Sequence, residues 1–211
     1  MQCLIAYTHT MRKFALAAFI LLTVRSSLAT FHLWQIVKVY SNSSGTVQYI
    51  ELFTTSPGQE FVAGQQMSSN THSVTLPSNL PATAGRSTAN QHFLLATPGY
   101  FALSGVPLAD YNLGVNNFFS TSGDTLNWAG VNTLTFGAGQ LPIDGANQIE
   151  RPFNGTALAS DANSPPNFAG TAGTIPQSTP PPATPAPASL ILVFTGLAGA
   201  GLYLARQRLS H

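Results

Sequence analysis

The chain has 211 residues, a formal net charge of +1, only 7% charged residues and one cysteine, Cys3. One cysteine leaves no internal disulfide, and three scattered basic residues in the central region (Lys38, Arg86 and Arg151) cannot form the clustered cationic face that a nucleic acid requires. Nucleic acid is therefore excluded as an expected partner.

The first segment reads as an export leader. Met11-Arg12-Lys13 is a short basic start, and Phe14 to Val24 is an apolar run of eleven residues. Ser27-Leu28-Ala29 supplies the small residues that a signal peptidase reads, so cleavage is expected after Ala29. Residues 1–10 add nothing to this logic, and Met11 is an alternative start of translation. Cys3 lies in the leader, so the mature protein is expected to carry no thiol chemistry.

Residues 30–164 are expected to form one domain, long enough for a single core. It holds three basic and seven acidic residues, a net of about −4, so the overall positive balance comes from the ends of the chain. Ile36 to Tyr40 and Val47 to Phe53 are β-branched and aromatic, and Ser41-Asn42-Ser43-Ser44-Gly45 between them is a turn cluster, so the pair reads as a hairpin. Further strands are predicted at Phe61-Val62, His72 to Leu76, His92 to Ala96, Thr125 to Trp128 and Asn132 to Phe136. Turn residues separate them, among them Ser56-Pro57-Gly58, Thr97-Pro98-Gly99 and Ser122-Gly123-Asp124. No window keeps a helical period for ten residues. Short strands with frequent turns predict an all-β antiparallel sandwich.

Candidate chemistry in this domain is sparse. His32, His72 and His92 show no spacing that suggests a zinc site, and no G-x-S-x-G elbow is present. Asp110, Asp124 and Asp144 sit in predicted loops beside Gly or Asn. Carboxylates so placed are weak calcium candidates, and turn-forming aspartates are the simpler reading. Glu51 is the one acid inside a predicted strand, where it either bonds a neighbouring loop or marks a binding edge. Trp34, Tyr40, Tyr49, Trp128 and Phe136 could stack on sugar rings, although in a sandwich of this size most should be core. Asn42-Ser43-Ser44 and Asn154-Gly155-Thr156 match the glycosylation acceptor pattern. No cofactor is expected.

Residues 165–187 shift to Pro, Ala, Thr and Gly and are expected to form an extended stalk, with six prolines in the thirteen residues from Ile175 to Pro187. Ala188 to Ala205 is then an uncharged apolar run of 18 residues. As a helix it measures roughly 27 Å, close to the ~30 Å hydrocarbon core of a bilayer. Arg206 and Arg208 place its end on the cytoplasmic side and the domain outside. Gly196 and Ala200 give a weak small-residue pairing motif.

Two resemblances follow from these residues. Leu33 to Asn42, followed by Gly45 to Leu52, resembles the opening of bacterial lamin-tail-like domains, with a strand, an Asn-containing turn and a strand carrying a Glu. Phe93-Leu94-Leu95-Ala96 and Gly123-Asp124-Thr125-Leu126 are similar to that family's later strands. The resemblance spans roughly residues 31–150 and implies an immunoglobulin-like sandwich acting as an extracellular accessory or interaction module. Pro185-Ala186-Pro187, the Gly/Ala/Leu helix and Arg206-Gln207-Arg208 resemble a PEP-CTERM sorting signal. That likeness implies an exosortase partner and a polysaccharide-rich envelope or matrix in a Gram-negative bacterium. The chain departs at Ala186, where the family carries Glu, so processing of the tail and its retention as an anchor both stay open.

Together these readings predict an exported, membrane-anchored or exosortase-sorted surface or matrix protein presenting a non-catalytic module that binds polysaccharide or other surface proteins. The alternative is a secreted hydrolase with a site among His72, His92, Asp110 and Asp124. It requires a histidine and a carboxylate to converge within hydrogen-bonding distance in a cleft.

Overall fold

The computed structural model describes residues 31–81 and 87–176. The leader ending at Ala29, Arg86, residues 177–187 of the stalk, the apolar segment 188–205 and the sorting residues Pro185, Ala186, Pro187, Arg206 and Arg208 lie outside the described residues. Among the described residues no helix is long and apolar enough to cross a membrane.

In chain order the strands are β1 (Gln35–Ser41), β2 (Gln48–Thr54), β3 (Gln66–Ser68), β4 (Ser73–Thr75) and β5 (Gln91–Ala96), then β6 (Tyr111–Asn112), β7 (Asp124–Trp128), β8 (Asn132–Phe136), β9 (Asn147–Glu150) and β10 (Ala159–Ala162). One short helix, α1 (Pro98–Phe101), lies between β5 and β6. They form a six-stranded sheet, ordered β10-β9-β1-β2-β5-β6, and a four-stranded sheet, ordered β4-β3-β7-β8. All the pairings are antiparallel except that of β5 with β6. The expected all-β sandwich is observed.

The hairpin of β1 and β2 forms as its sequence predicts. Asn42 accepts the Val47 amide on its side chain at 3.1 Å, and the Asn42 amide donates to the Val47 carbonyl at 3.0 Å. Gly45 takes φ +69°, and a Cβ there would fall 1.9 Å from Asn117 Oδ1. Only glycine permits both the turn and the close approach of the later loop.

A bulge in β1 decides which side chains face which way. Ile36 pairs with Leu52, but the next pair is Lys38 with Glu51, which leaves Val37 as the extra residue. Without it Lys38 would stand opposite Ile50 in the core, because a one-residue slip turns every side chain to the other face. With it, Ile36 and Val39 point between the sheets while Lys38 and Tyr40 point away.

The main core lies between the sheets. Ile36, Ile50, Leu52, Phe93 and Leu95 meet Met67, Leu126, Trp128, Leu134 and Phe136 from the smaller sheet. At its centre Phe93 contacts Trp34, Trp128 and Tyr111 edge-on, at centroid distances of 4.7, 5.6 and 5.9 Å. Arg151, almost fully buried, ties the sheets at one end. Its guanidinium donates to the carbonyls of Thr133 in β8 and Ile36 in β1, and to Asn132 Oδ1. Burial lowers its pKa.

The outer face of the larger sheet is also covered, by α1, the loop that follows it and the segment ending at Ile175. Tyr40, Tyr49, Leu94, Ala96, Tyr100, Ala109 and Ile175 form this second cluster. A sheet buried on both faces needs near-continuous apolar strands, which is why β5 reads Phe-Leu-Leu-Ala rather than alternating. This layer moves the domain boundary. The body continues beyond Ser164 to Pro176, with Phe168 and Ile175 buried, so residues 165–176 belong to the sandwich and not to the stalk.

All four tyrosines of the domain have raised pKa values, with burial the largest cause: Tyr40 and Tyr111 to about 12, Tyr49 and Tyr100 further. A raised folded-state pKa contributes stability that is complete below the unfolded value of ~10 and is lost as pH rises through the folded one. In an ultraviolet alkaline titration these phenols are therefore expected to ionise only as tryptophan fluorescence reports unfolding. Ionisation midpoints near the ordinary value, with native fluorescence retained, would contradict this.

Candidate functional site

The structure arranges His92, Glu51, Lys38 and Glu150 in a row across the outer face of the larger sheet. Glu51 on β2 is fully buried and stands opposite Lys38 on β1, which in turn pairs with Glu150 on β9. His92 on β5 comes from the other side, and its Nδ1–H donates to Glu51 Oε1 at 2.6 Å. Lys38 Nζ lies 3.4 Å from Glu51 Oε2. That contact is held by charge rather than by an aligned hydrogen bond, since Oε2 has no hydrogen-bond partner. Lys38 also reaches Ser164 Oγ at 3.3 Å. Burial raises the pKa of Glu150, its hydrogen bond with Asp161 raises it further, and Lys38 opposes both.

The row is chemically one-sided. Glu51 fixes the histidine ring through Nδ1, and the ring packs against Phe53 at a centroid distance of 4.6 Å with about a third of the side chain exposed. This leaves Nε2 as the free position, the arrangement in which a carboxylate orients a base. No hydroxyl or thiol among the described residues is hydrogen-bonded to His92, however. The serine at Lys38 faces an ion-paired ammonium, which donates protons but has no lone pair to accept one.

The four residues of the expected hydrolase set do not form one site. His92 meets Glu51. His72 bonds, through Nδ1, to Thr71 Oγ1 at 2.9 Å and to the Phe118 carbonyl at 3.1 Å. Asp124 accepts the amides of Asn70, Thr125 and Ser120 at 2.9, 2.7 and 2.7 Å, clasping the loop that opens β7. Asp110 accepts the amides of Leu94 and Phe168 on one oxygen, at 2.8 and 3.0 Å. Burial raises its pKa, and the amides of Leu94, Phe168 and Asp110 itself oppose that.

The calcium candidates are likewise separate. Asp144 accepts the amides of Ala146 and Asn147 on one oxygen and the Asn147 side-chain amide on the other, which lowers its pKa. Asp110, Asp124 and Asp144 thus each organise their own turn, and among the described residues no three His, Cys, Asp or Glu side chains gather to hold a metal ion. The aromatic candidates for sugar stacking, Trp34, Tyr40, Tyr49, Trp128 and Phe136, are all core residues, at most 2% exposed.

One cleft was not foreseen. It has a volume of about 270 Å³ and opens beside the parallel pair of β5 and β6, with Asp110, Tyr111 and Asn167 on its walls. The lining comes from three separate stretches of the chain, around Asn79, Asp110 and Asn167, so nothing in their spacing could announce it. The one legible signal was Asp110 itself, an acid followed at once by a buried aromatic.

Comparison of the chain with family models, curated proteins and solved structures finds no match.

Proposed function

We propose that this chain is an exported surface or matrix protein, held by its C-terminal apolar segment or sorted by an exosortase, that presents a non-catalytic β-sandwich as a binding or structural module. The observation that carries the reading is the pairing of a leader ending at Ala29 with an apolar run, Ala188 to Ala205, closed by Arg206 and Arg208. The sandwich supports it. Asp110, Asp124 and Asp144 hold their own loops, and Trp34, Tyr40, Tyr49, Trp128 and Phe136 are spent on two cores. The immunoglobulin-like character implied by the lamin-tail resemblance belongs to the same proposal, supported by the β1–β2 hairpin with Glu51 on its second strand.

The test is expression of the full chain in a Gram-negative host. The expected result is loss of the leader, fractionation with membranes and cleavage of the domain by protease added to intact cells. A C-terminus that still ends at His211 identifies an anchor, and a shortened one identifies processing. A soluble cytosolic chain with its leader intact overturns the reading.

A second reading, the secreted hydrolase, is favoured only by the short contact of His92 with Glu51. It requires that hydrolysis of ester or glycoside substrates be measurable and be lost in His92→Ala.

A further inference from the structure

The cleft beside Asp110 combines a fixed polar wall with an open apolar rim. Asp110 Oδ2 takes two backbone amides, from Leu94 and Phe168, which holds the carboxylate in place on the wall. Asn79 Oδ1 accepts the Ala63 amide at 3.0 Å, so the amide orientation is set and Nδ2 remains a donor. Tyr111 donates its hydroxyl hydrogen to the Ser78 carbonyl at 3.0 Å, which leaves the phenolic oxygen as an acceptor. Asn167 is locked on both sides, donating to the Leu108 carbonyl and accepting the Thr171 amide, each at 2.9 Å. The rim carries Leu108, 70% exposed, and Ala169.

This chemistry selects its ligand. Among the described residues the lining contains no Lys, Arg or His. An anionic ligand would meet Asp110 with nothing to neutralise it, since removing a charge from water without a partner is unfavourable. A metal ion would require several convergent oxygen ligands, and among the described residues Asp110 is the only carboxylate on the wall. An uncharged molecule that both donates and accepts hydrogen bonds and has an apolar face for Leu108 fits this wall. The volume, about 270 Å³, lies just below the roughly 300–1,000 Å³ of drug-sized sites.

We propose that this cleft binds a single neutral sugar unit, with ligand hydroxyls donating to the Asp110 carboxylate and accepting from Asn79 Nδ2. The inference rests on the reading of the domain as an outward-facing binding module and names the class of ligand that module takes. It also assigns the contact to a cleft, since Trp34, Tyr40, Tyr49, Trp128 and Phe136 are sealed in the cores.

Saturation-transfer NMR on the full chain, in micelles of a detergent without a sugar headgroup, tests it. The probes are the methyl glycosides of glucose, mannose and galactose, with N-acetylglucosamine as a fourth and glucuronate as the charged control. At least one neutral probe is expected to receive saturation, and glucuronate is not. Asp110→Asn is expected to weaken binding about tenfold or more, the loss of one hydrogen bond to a charged acceptor. Ala169→Arg, at an exposed rim position, is expected to block the cleft while leaving the thermal transition unchanged, which separates lost binding from lost folding. Saturation that survives both variants overturns the site. Absence of saturation for every neutral probe at millimolar concentration overturns the ligand class. If the chain is nonetheless anchored and exposed on cells, the proposed function stands and only the cleft inference falls.

Discussion

Phe93→Ala is expected to destabilise the domain by about 4–5 kcal/mol, toward the upper end for deletion of a buried aromatic side chain. Phe93 is fully buried on β5 and is the one ring that touches Trp34, Trp128 and Tyr111 together. Removing it opens a cavity between two sheets whose strands are pinned by their ladders, so the walls cannot collapse far. Three edge-on contacts go with it, each worth about 0.5–1.5 kcal/mol in favourable cases. Phe93→Leu keeps most of the buried area and is expected to lose about 1–2 kcal/mol. Urea unfolding followed by tryptophan fluorescence reads both, because Trp34 and Trp128 are the only tryptophans in the chain and both line this core. Set against a typical total of about 5–15 kcal/mol, the alanine variant should be partly unfolded in mild denaturant. A loss below about 1 kcal/mol would show that the sheets can close over the gap, contrary to the packing described.

Glu51→Ala is expected to destabilise by about 2–4 kcal/mol, through electrostatics rather than volume. Breaking a buried ion pair from one side commonly costs about 3–5 kcal/mol, because the surviving partner is left without its counter-charge. Here the effect is smaller, since Lys38 and His92 are both partly exposed and can turn toward water. Replacing both members of the pair, as in Lys38→Met with Glu51→Leu, is expected to recover most of the loss, since hydrophobic isosteres of buried pairs are often neutral. The double-mutant cycle measures the coupling directly. If Glu51→Ala costs no more than a typical surface substitution, the row of charges on this face contributes nothing to stability and the case for Glu51 as a structural residue fails.

Much of the strand pattern was legible along the chain. β1, β2, β5, β7 and β8 lie within a residue or two of their predicted positions. β-branched and aromatic runs bounded by Gly, Asn, Ser and Pro leave few other local conformations. The misses have a common cause. Phe61-Val62 was expected as a strand, but the Val62 amide bonds the Glu60 carbonyl in a turn, and the neighbouring strand is instead β3 at Gln66–Ser68. β6, β9 and β10 are two to four residues long and largely polar, with β10 exposed throughout. Each is a strand because a neighbour offers its free edge: β9 adds to β1 from far along the chain, and β6 and β10 then add to β5 and β9.

The same division holds for the candidate sites. Residue types and periodicity by themselves determined an all-β class, turn-forming aspartates, aromatic residues destined for the core and terminal segments with an export and anchoring composition. Only the tertiary structure decided that Lys38 faces Glu51, because the Val37 bulge shifts the register by one residue. Only it decided that the body continues to Pro176, because the outer face of the larger sheet needs Ile175 as cover. And only it placed Asp110, Asn79 and Asn167 around one cleft. Side-chain type and local spacing set what a segment prefers over a few residues. Long-range pairing sets which segments share a face, and it carries no local signature.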